Sequence, residues 1–322
     1  MPIHNLGYRT WKGPLSSANS RWTVIAGIGI RRAWQSMWLR RIVFFAWVPG
    51  VIMAMLIYLF EQAIADGNPS AFAYSRLADM FLGRIDGDAL RHNAYTAASM
   101  SQDLVQHRRQ FWCSLLQALY QRSQLIMQIM VVGLTAPALI SQDMRSRAFL
   151  LYFSRPISRT QYILGKAASI ACYVLVVTFL PGITLYVTGV LLSPDISIVL
   201  DTWDIPLRIV GATITMVVPT TCLGLMLSSL TTETRFASFA WFAVWIFGLF
   251  SNTVTSAFVA IGGETPLEML SLFHVIADVQ AWLLDVRPDV ELDVIGPLSV
   301  LITVTIVSLT ILYKRVSAPM NV

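Results

Sequence analysis

Apolar residues occur in six long blocks, at 42–60, 122–140, 168–192, 208–230, 237–261 and 294–313. About 20 apolar residues in a helix cross the hydrocarbon core of a bilayer. Each block approaches that length, the second only when its polar outer flank is counted. Lipid offers no partner to an open backbone group, so each block is expected to be helical. The pattern predicts an all-α, polytopic membrane helix bundle with six transmembrane helices. Between the blocks, stretches 70–83 and 96–121 also read as helices, inside a large loop over 61–121. Pro137, Pro181 and Pro219 fall inside spans and are expected to kink them.

The ends of the spans differ in charge. Segments 1–41, 141–167, 231–236 and the tail from Lys314 hold 15 of the 23 Lys and Arg residues, with Asp143 and Glu233 as their only acids. The loops on the other side hold the remaining 16 acids. By the positive-inside rule both termini and the 141–167 loop are cytoplasmic, which agrees with an even number of spans. The basic leader and the 42–60 run are both too long for a cleaved signal peptide, so an uncleaved first span is expected. The chain reads as a single transmembrane domain over 1–322, with 1–41 as a cytoplasmic tail.

Within that tail, Ile30, Ala33, Trp34 and Met37 share a helical face opposite Arg31, Arg32 and Gln35. Trp38, Arg40 and Arg41 lead into the first span. Tryptophan favours the membrane interface and arginine favours phosphate, so Trp34, Trp38, Arg40 and Arg41 are candidate membrane-interface residues on an N-terminal interfacial helix over 30–41. The alternative is a basic flank that does no more than set orientation.

Composition adds exclusions. The chain is 56% hydrophobic and 13% charged, far from the quarter expected of a water-soluble domain. Its net charge of +5 is explained by span orientation, so nucleic acid is not an expected partner. The three cysteines, Cys113, Cys172 and Cys222, form no CxxC pair. His4, His92, His107 and His274 lie in loops and do not cluster, so no metal site is expected. HExxH and GxSxG are missing, and so is a phosphate-binding GxxxxGK[ST] loop: Ala167 follows Gly165-Lys166. Almost no ionisable group falls within a span, which argues against a self-sufficient ion-coupled carrier. Gln128, Thr213, Thr215, Thr220, Thr221, Asn252 and Thr253 either bond between helices or line a path. In the last loop, Leu267, Leu270, Phe273, Ile276 and Val279 are spaced for one face of a short helix.

The 141–167 loop carries the most information. Met144, Ala148, Leu151 and Tyr152 mark a short amphipathic helix, with Asp143 in its first turn. Pro156 ends it. Ser158 and Gln161 have capping-box spacing, so a second helix is expected to start near Arg159 and run through Lys166 into span three. On the residues alone, the arginines here either set orientation or face a partner.

The run Ile140-Ser-x-Asp-x-Arg-Ser-x-Ala, the run Leu-Tyr-x-Ser-Arg-Pro-Ile-Ser-Arg and the closing Tyr-Ile-Leu-Gly-Lys166 resemble the permease subunits of type-two, exporter-class bacterial ABC transporters. The six-span layout, the N-terminal helix and the large first external loop extend the likeness. The resemblance implies a cytoplasmic coupling helix that docks on a separate ATP-binding subunit. It makes Asp143, Arg145, Arg147, Arg155, Pro156, Arg159 and Lys166 candidate coupling residues. It also implies a homodimer or a heterodimer with a second permease, a setting in the bacterial cytoplasmic membrane, and a re-entrant hairpin near 264–293. This chain would then be no enzyme and carry no cofactor, ATP and magnesium being held by the partner. The competing function is a membrane anchor or assembly factor that binds a cytoplasmic partner through the 141–166 loop without transporting anything.

Overall fold

The computed structural model describes residues 20–65, 104–148, 157–193, 197–260, 269–284 and 294–317. They form α1 (Arg21–Trp34), α2 (Met37–Phe45), α3 (Val48–Ala65), α4 (Leu104–Ala118), a π turn (Leu119–Gln124), α5 (Leu125–Arg145), α6 (Arg159–Leu192), α7 (Ile198–Asp201), α8 (Ile205–Leu230), α9 (Thr234–Ala260), α10 (Leu272–Leu283) and α11 (Ile295–Ser317). Six stretches are long and apolar enough to cross a bilayer: Met37–Gln62, Arg108–Arg145, Arg159–Leu192, Ile205–Leu230, Thr234–Ser251 and Ile295–Val316. The chain is therefore an all-α, six-span membrane helix bundle, and α8 sits at its centre against α5, α6, α9, α10 and α11.

The N-terminal region departs from the sequence reading. A single helix over 30–41 was expected. Instead α1 begins at Arg21 and stops at Trp34, because the Ser36 hydroxyl accepts the Leu39 N–H and starts a new helix. A second break follows at Ala46–Trp47, just before Pro49, whose ring cannot share space with the carbonyl four residues back. The Ala46 carbonyl freed there accepts Gln124 Nε2 at 3.0 Å, from span two.

α1 lies along α6. Gly165 meets Trp22 and Ile25, the Ser169 hydroxyl donates to Ala26 O at 3.2 Å beside Gly29, and Tyr173 donates to Ile30 O while its ring stacks on Trp34. Each step is one turn on both helices, so the two run side by side in the same direction. Small residues make this approach possible: a Cβ at Gly165 would sit 2.8 Å from the Trp22 carbonyl oxygen.

Most of the polar residues in the spans bond. Gln128 Nε2 donates to Met216 O at 2.9 Å and to Thr220 Oγ1 at 2.5 Å, and Tyr120 Oη lies 3.2 Å from Thr213 Oγ1. These contacts tie α5 and the π turn to α8. Thr215 bonds within its own helix, and Thr221 Oγ1 has no partner among the described residues. The side chains of Asn252 and Thr253 lie outside the described residues. Pro137 opens α5: Ser228 of α8 accepts the N–H groups of Ile140 and Ser141 and donates to Pro137 O at 2.8 Å.

The last loop does carry a helix, α10. Val275, Ile276, Val279 and Gln280 form its buried side, whereas Leu270 precedes it and is exposed. Ile276 and Val279 are thus buried as expected and Phe273 is half-buried, but Leu270 falls outside the face because the helix starts only after Ser271. Of the remaining loop helices, 70–83 and 96–103 lie outside the described residues, as does Leu267.

The α1–α6 seam makes a paired prediction. Gly165→Ala must push two backbones apart, at a cost of about 1–3 kcal/mol. Gly27, by contrast, has nothing within 4 Å of the position of a Cβ. Gly27→Ala is expected to gain roughly 0.5–1 kcal/mol from helix propensity. Thermal unfolding of the purified protein in detergent should fall for the first and hold or rise for the second.

Candidate functional site

The loop between spans two and three is fastened at both ends by backbone chemistry. On the first side, α5 ends in a Schellman turn. Ala148 N donates to Asp143 O at 2.9 Å, and Arg147 N donates to Met144 O at 3.2 Å. The turn requires a left-handed residue, and Arg147 takes that place with φ 53°. The expected helix from Met144 onward is therefore broken after Arg145. Leu151, Tyr152, Arg155 and Pro156 lie outside the described residues. On the second side, Ser158 and Gln161 form the expected capping box: Ser158 Oγ accepts Gln161 N at 3.2 Å, and Gln161 Oε1 accepts Ser158 N at 3.1 Å. From there α6 runs unbroken through Lys166 into the span.

Between these fastenings the two helices are clamped by charge. Asp143 Oδ2 accepts Tyr162 Oη at 2.7 Å and pairs with Lys166 Nζ at 2.7 Å. Tyr162 and Lys166 are one turn apart on α6, so both reach the same carboxylate. The ammonium also lies 5.4 Å from the centre of the Tyr162 ring. All three side chains are buried. Asp143 and Lys166 thus face each other and present no surface.

The other candidates are placed differently. Arg145 and Arg147 are exposed, and Arg145 Nη1 lies 3.4 Å from Glu233 Oε2 in the loop between α8 and α9. Ser141 Oγ lies 3.1 Å from Thr234 Oγ1, so the last turns of α5 are also joined to the start of α9. Arg159 is half-buried at the first turn of α6. Arg32 Nη2 of α1 donates to Gln142 Oε1 at 2.5 Å, closing α1 onto α5. Trp38, Arg40 and Arg41 are exposed on α2, with the Arg41 guanidinium 5.6 Å from the Trp38 ring centre, and Trp34 is half-exposed against Tyr173.

Sequence reasoning missed a second group of charges at the opposite end of the bundle. Glu61 of α3 is 3% exposed and lies 3.0 Å from Arg108 Nε, a charge contact without an aligned hydrogen bond. Arg109 and Arg208 both reach Asp204 Oδ2, at 2.7 and 2.6 Å. One signal was available: Glu61 directly follows an apolar run, where an acid is costly unless paired. Its partner is far away in the chain and has no signature.

Six spans, a buried charge clamp at the mouth of one inter-span loop and polar bonds through the middle of the bundle make this a multi-pass membrane helix bundle. Residues 39–313 match the ABC-2 family transporter proteins, and the chain belongs to that family. No curated protein matches the chain.

Two predictions come from the loop. Arg147 carries a left-handed backbone that costs a non-glycine residue about 1–2 kcal/mol. Arg147→Gly is therefore expected to raise thermal stability. Removing one charge of the clamp, by Asp143→Leu or Lys166→Met, should cost about 3–5 kcal/mol, because the survivor stays buried and unpaired. The double variant should recover most of that loss. Unfolding midpoints for the two single variants and the double variant decide the point.

Proposed function

We propose that this chain is the membrane-spanning permease subunit of an ATP-driven exporter, powered by a separate cytoplasmic ATP-binding subunit. The observation that carries the reading is the clamp. Residues 149–156 connect, along the chain, two helices that are capped at their facing ends and joined by a buried ion pair. A push on such a loop passes to spans two and three together, which a free loop would not do. Asp143 and Lys166 act as positioning residues in this scheme. Arg145, Arg147, Arg155 and Arg159 are the charges that meet the motor, with Pro156 stiffening the corner. The Arg145–Glu233 and Ser141–Thr234 contacts carry the motion into the loop between spans four and five.

ATP and magnesium belong to the partner, since this sequence has no phosphate-binding loop. Two permease subunits, identical or homologous, would pair with two ATPase subunits, and ATP would do work by binding one bundle conformation better than the other. The charge asymmetry of the loops supports a bacterial cytoplasmic membrane setting with both termini inside and one transmembrane domain over 1–322. The break at Gln35–Ser36 suits the headgroup layer: Trp34 and Trp38 contribute amphipathic rings, while Arg40 and Arg41 meet lipid phosphate.

The double reversal Arg155→Glu with Arg159→Glu should abolish co-purification of the ATPase subunit while membrane insertion is unchanged. Association at the wild-type level would remove these arginines from the motor contact. A complex that forms but moves no solute in reconstituted vesicles would instead favour a membrane anchor.

A further inference from the structure

At the end of the bundle away from the Asp143–Lys166 clamp, one stretch of α4 touches three other helices, and it does so with two different faces. Arg108 and Phe111 are three residues apart and share a face. That face lies on α3: Arg108 pairs with Glu61, and the Phe111 ring stacks on Phe60 with centroids 4.0 Å apart. Arg109 and Trp112 share the neighbouring face. Arg109 pairs with Asp204, which immediately precedes α8. Trp112 packs edge-on to Tyr186 and lies over Gly189, both on α6.

The ion pairs on the two faces differ in how firmly they hold, while Trp112 and Cys113 keep the second face as buried as the first. Glu61 and Arg108 are 3% and 12% exposed, so parting them would leave a charge stranded away from water. Arg109, Asp204 and Arg208 are 21–30% exposed, and such pairs yield far more easily because water takes over their charges. Asp204 Oδ2 is shared by both guanidiniums, and Arg208 Nη1 in turn donates to Leu283 O at 2.8 Å, at the last turn of α10. A single carboxylate thus fastens α4, α8 and α10 together. Beneath it, farther along both helices, lies the Tyr120–Thr213 contact between the π turn and α8.

We propose that α4 is a releasable clasp over the external end of the bundle. The α3 face, with Glu61–Arg108 and Phe60–Phe111, is its hinge. The Asp204 junction is its catch, and release of the catch uncovers the polar contacts between spans two and four. The clasp rests on the contacts of α4 with α3, α6 and the start of α8. Only the word "external" rests on the orientation proposed above.

The protein carries its own reporter. Cys113 is 1% exposed and lies one turn from Arg109, on the catch side of α4. The test uses the full chain with Cys172→Ala and Cys222→Ala in right-side-out and inverted membrane vesicles, and follows the reaction of Cys113 with a membrane-impermeant maleimide. Asp204→Asn and Arg109→Gln should each speed labelling from the outside, by about 1.5- to 5-fold for each weak, partly exposed pair that is lost. Asp204→Glu should stay near the starting rate. Labelling of Asp204→Asn at the unchanged rate overturns the clasp. So does a parallel rise in a companion chain that keeps only Cys222, in the middle of span four, since that reports general loosening. Faster labelling confined to inverted vesicles supports the clasp and overturns the orientation.

Discussion

Hydrocarbon offers no hydrogen bond to a peptide group, and most of this bundle's irregular features answer to that constraint. The spans are not continuous rods. Span one breaks at Ala46, span two contains a π turn and a proline, and spans three and four each contain a proline. At two of these interruptions a side chain from another span supplies the missing partner. Gln124 reaches the Ala46 carbonyl, and Ser228 serves both the N–H groups and the carbonyl around Pro137. Two turns before Pro137, Trp241 Nε1 of span five adds a bond to Ile129 O at 2.9 Å. A break in one helix thereby becomes an attachment to the next.

Buried charge follows the same economy at larger cost. An ionised side chain away from water persists only when paired and further hydrogen-bonded. Asp143 meets that condition with Lys166 and Tyr162, and Glu61 meets its charge requirement with Arg108. The two pairs mark opposite ends of the bundle. Each locks span two to a neighbour: span three at one end, span one at the other. Span two is thus the element through which a movement at either end would be felt at the other.

Much of this was legible in the chain. Block length and composition announced six spans. The capping box at Ser158 and Gln161 was readable because its partners are three residues apart. Short-range chemistry of this kind survives without knowledge of the fold. The break at Ser36 is equally local, but the apolar face of Ile30, Ala33, Trp34 and Met37 continues across it and hides it. The left-handed Arg147 was not readable, since nothing in an arginine announces φ above zero.

What the sequence determined by itself was the number and chemistry of the spans, because a bilayer imposes those on each segment alone, whereas spans two and three extend well past the expected 122–140 and 168–192, to Arg108–Arg145 and Arg159–Leu192. Which charges would be surface and which internal was decided only by the tertiary structure. Asp143 and Lys166 look like two more members of a basic, exposed loop, yet they are buried against each other. Glu61, Arg108 and Asp204 look like loop charges, yet they hold helices together. The reason is distance along the chain: a pairing energy depends on separation in space, and the partners here come together only after the spans have packed.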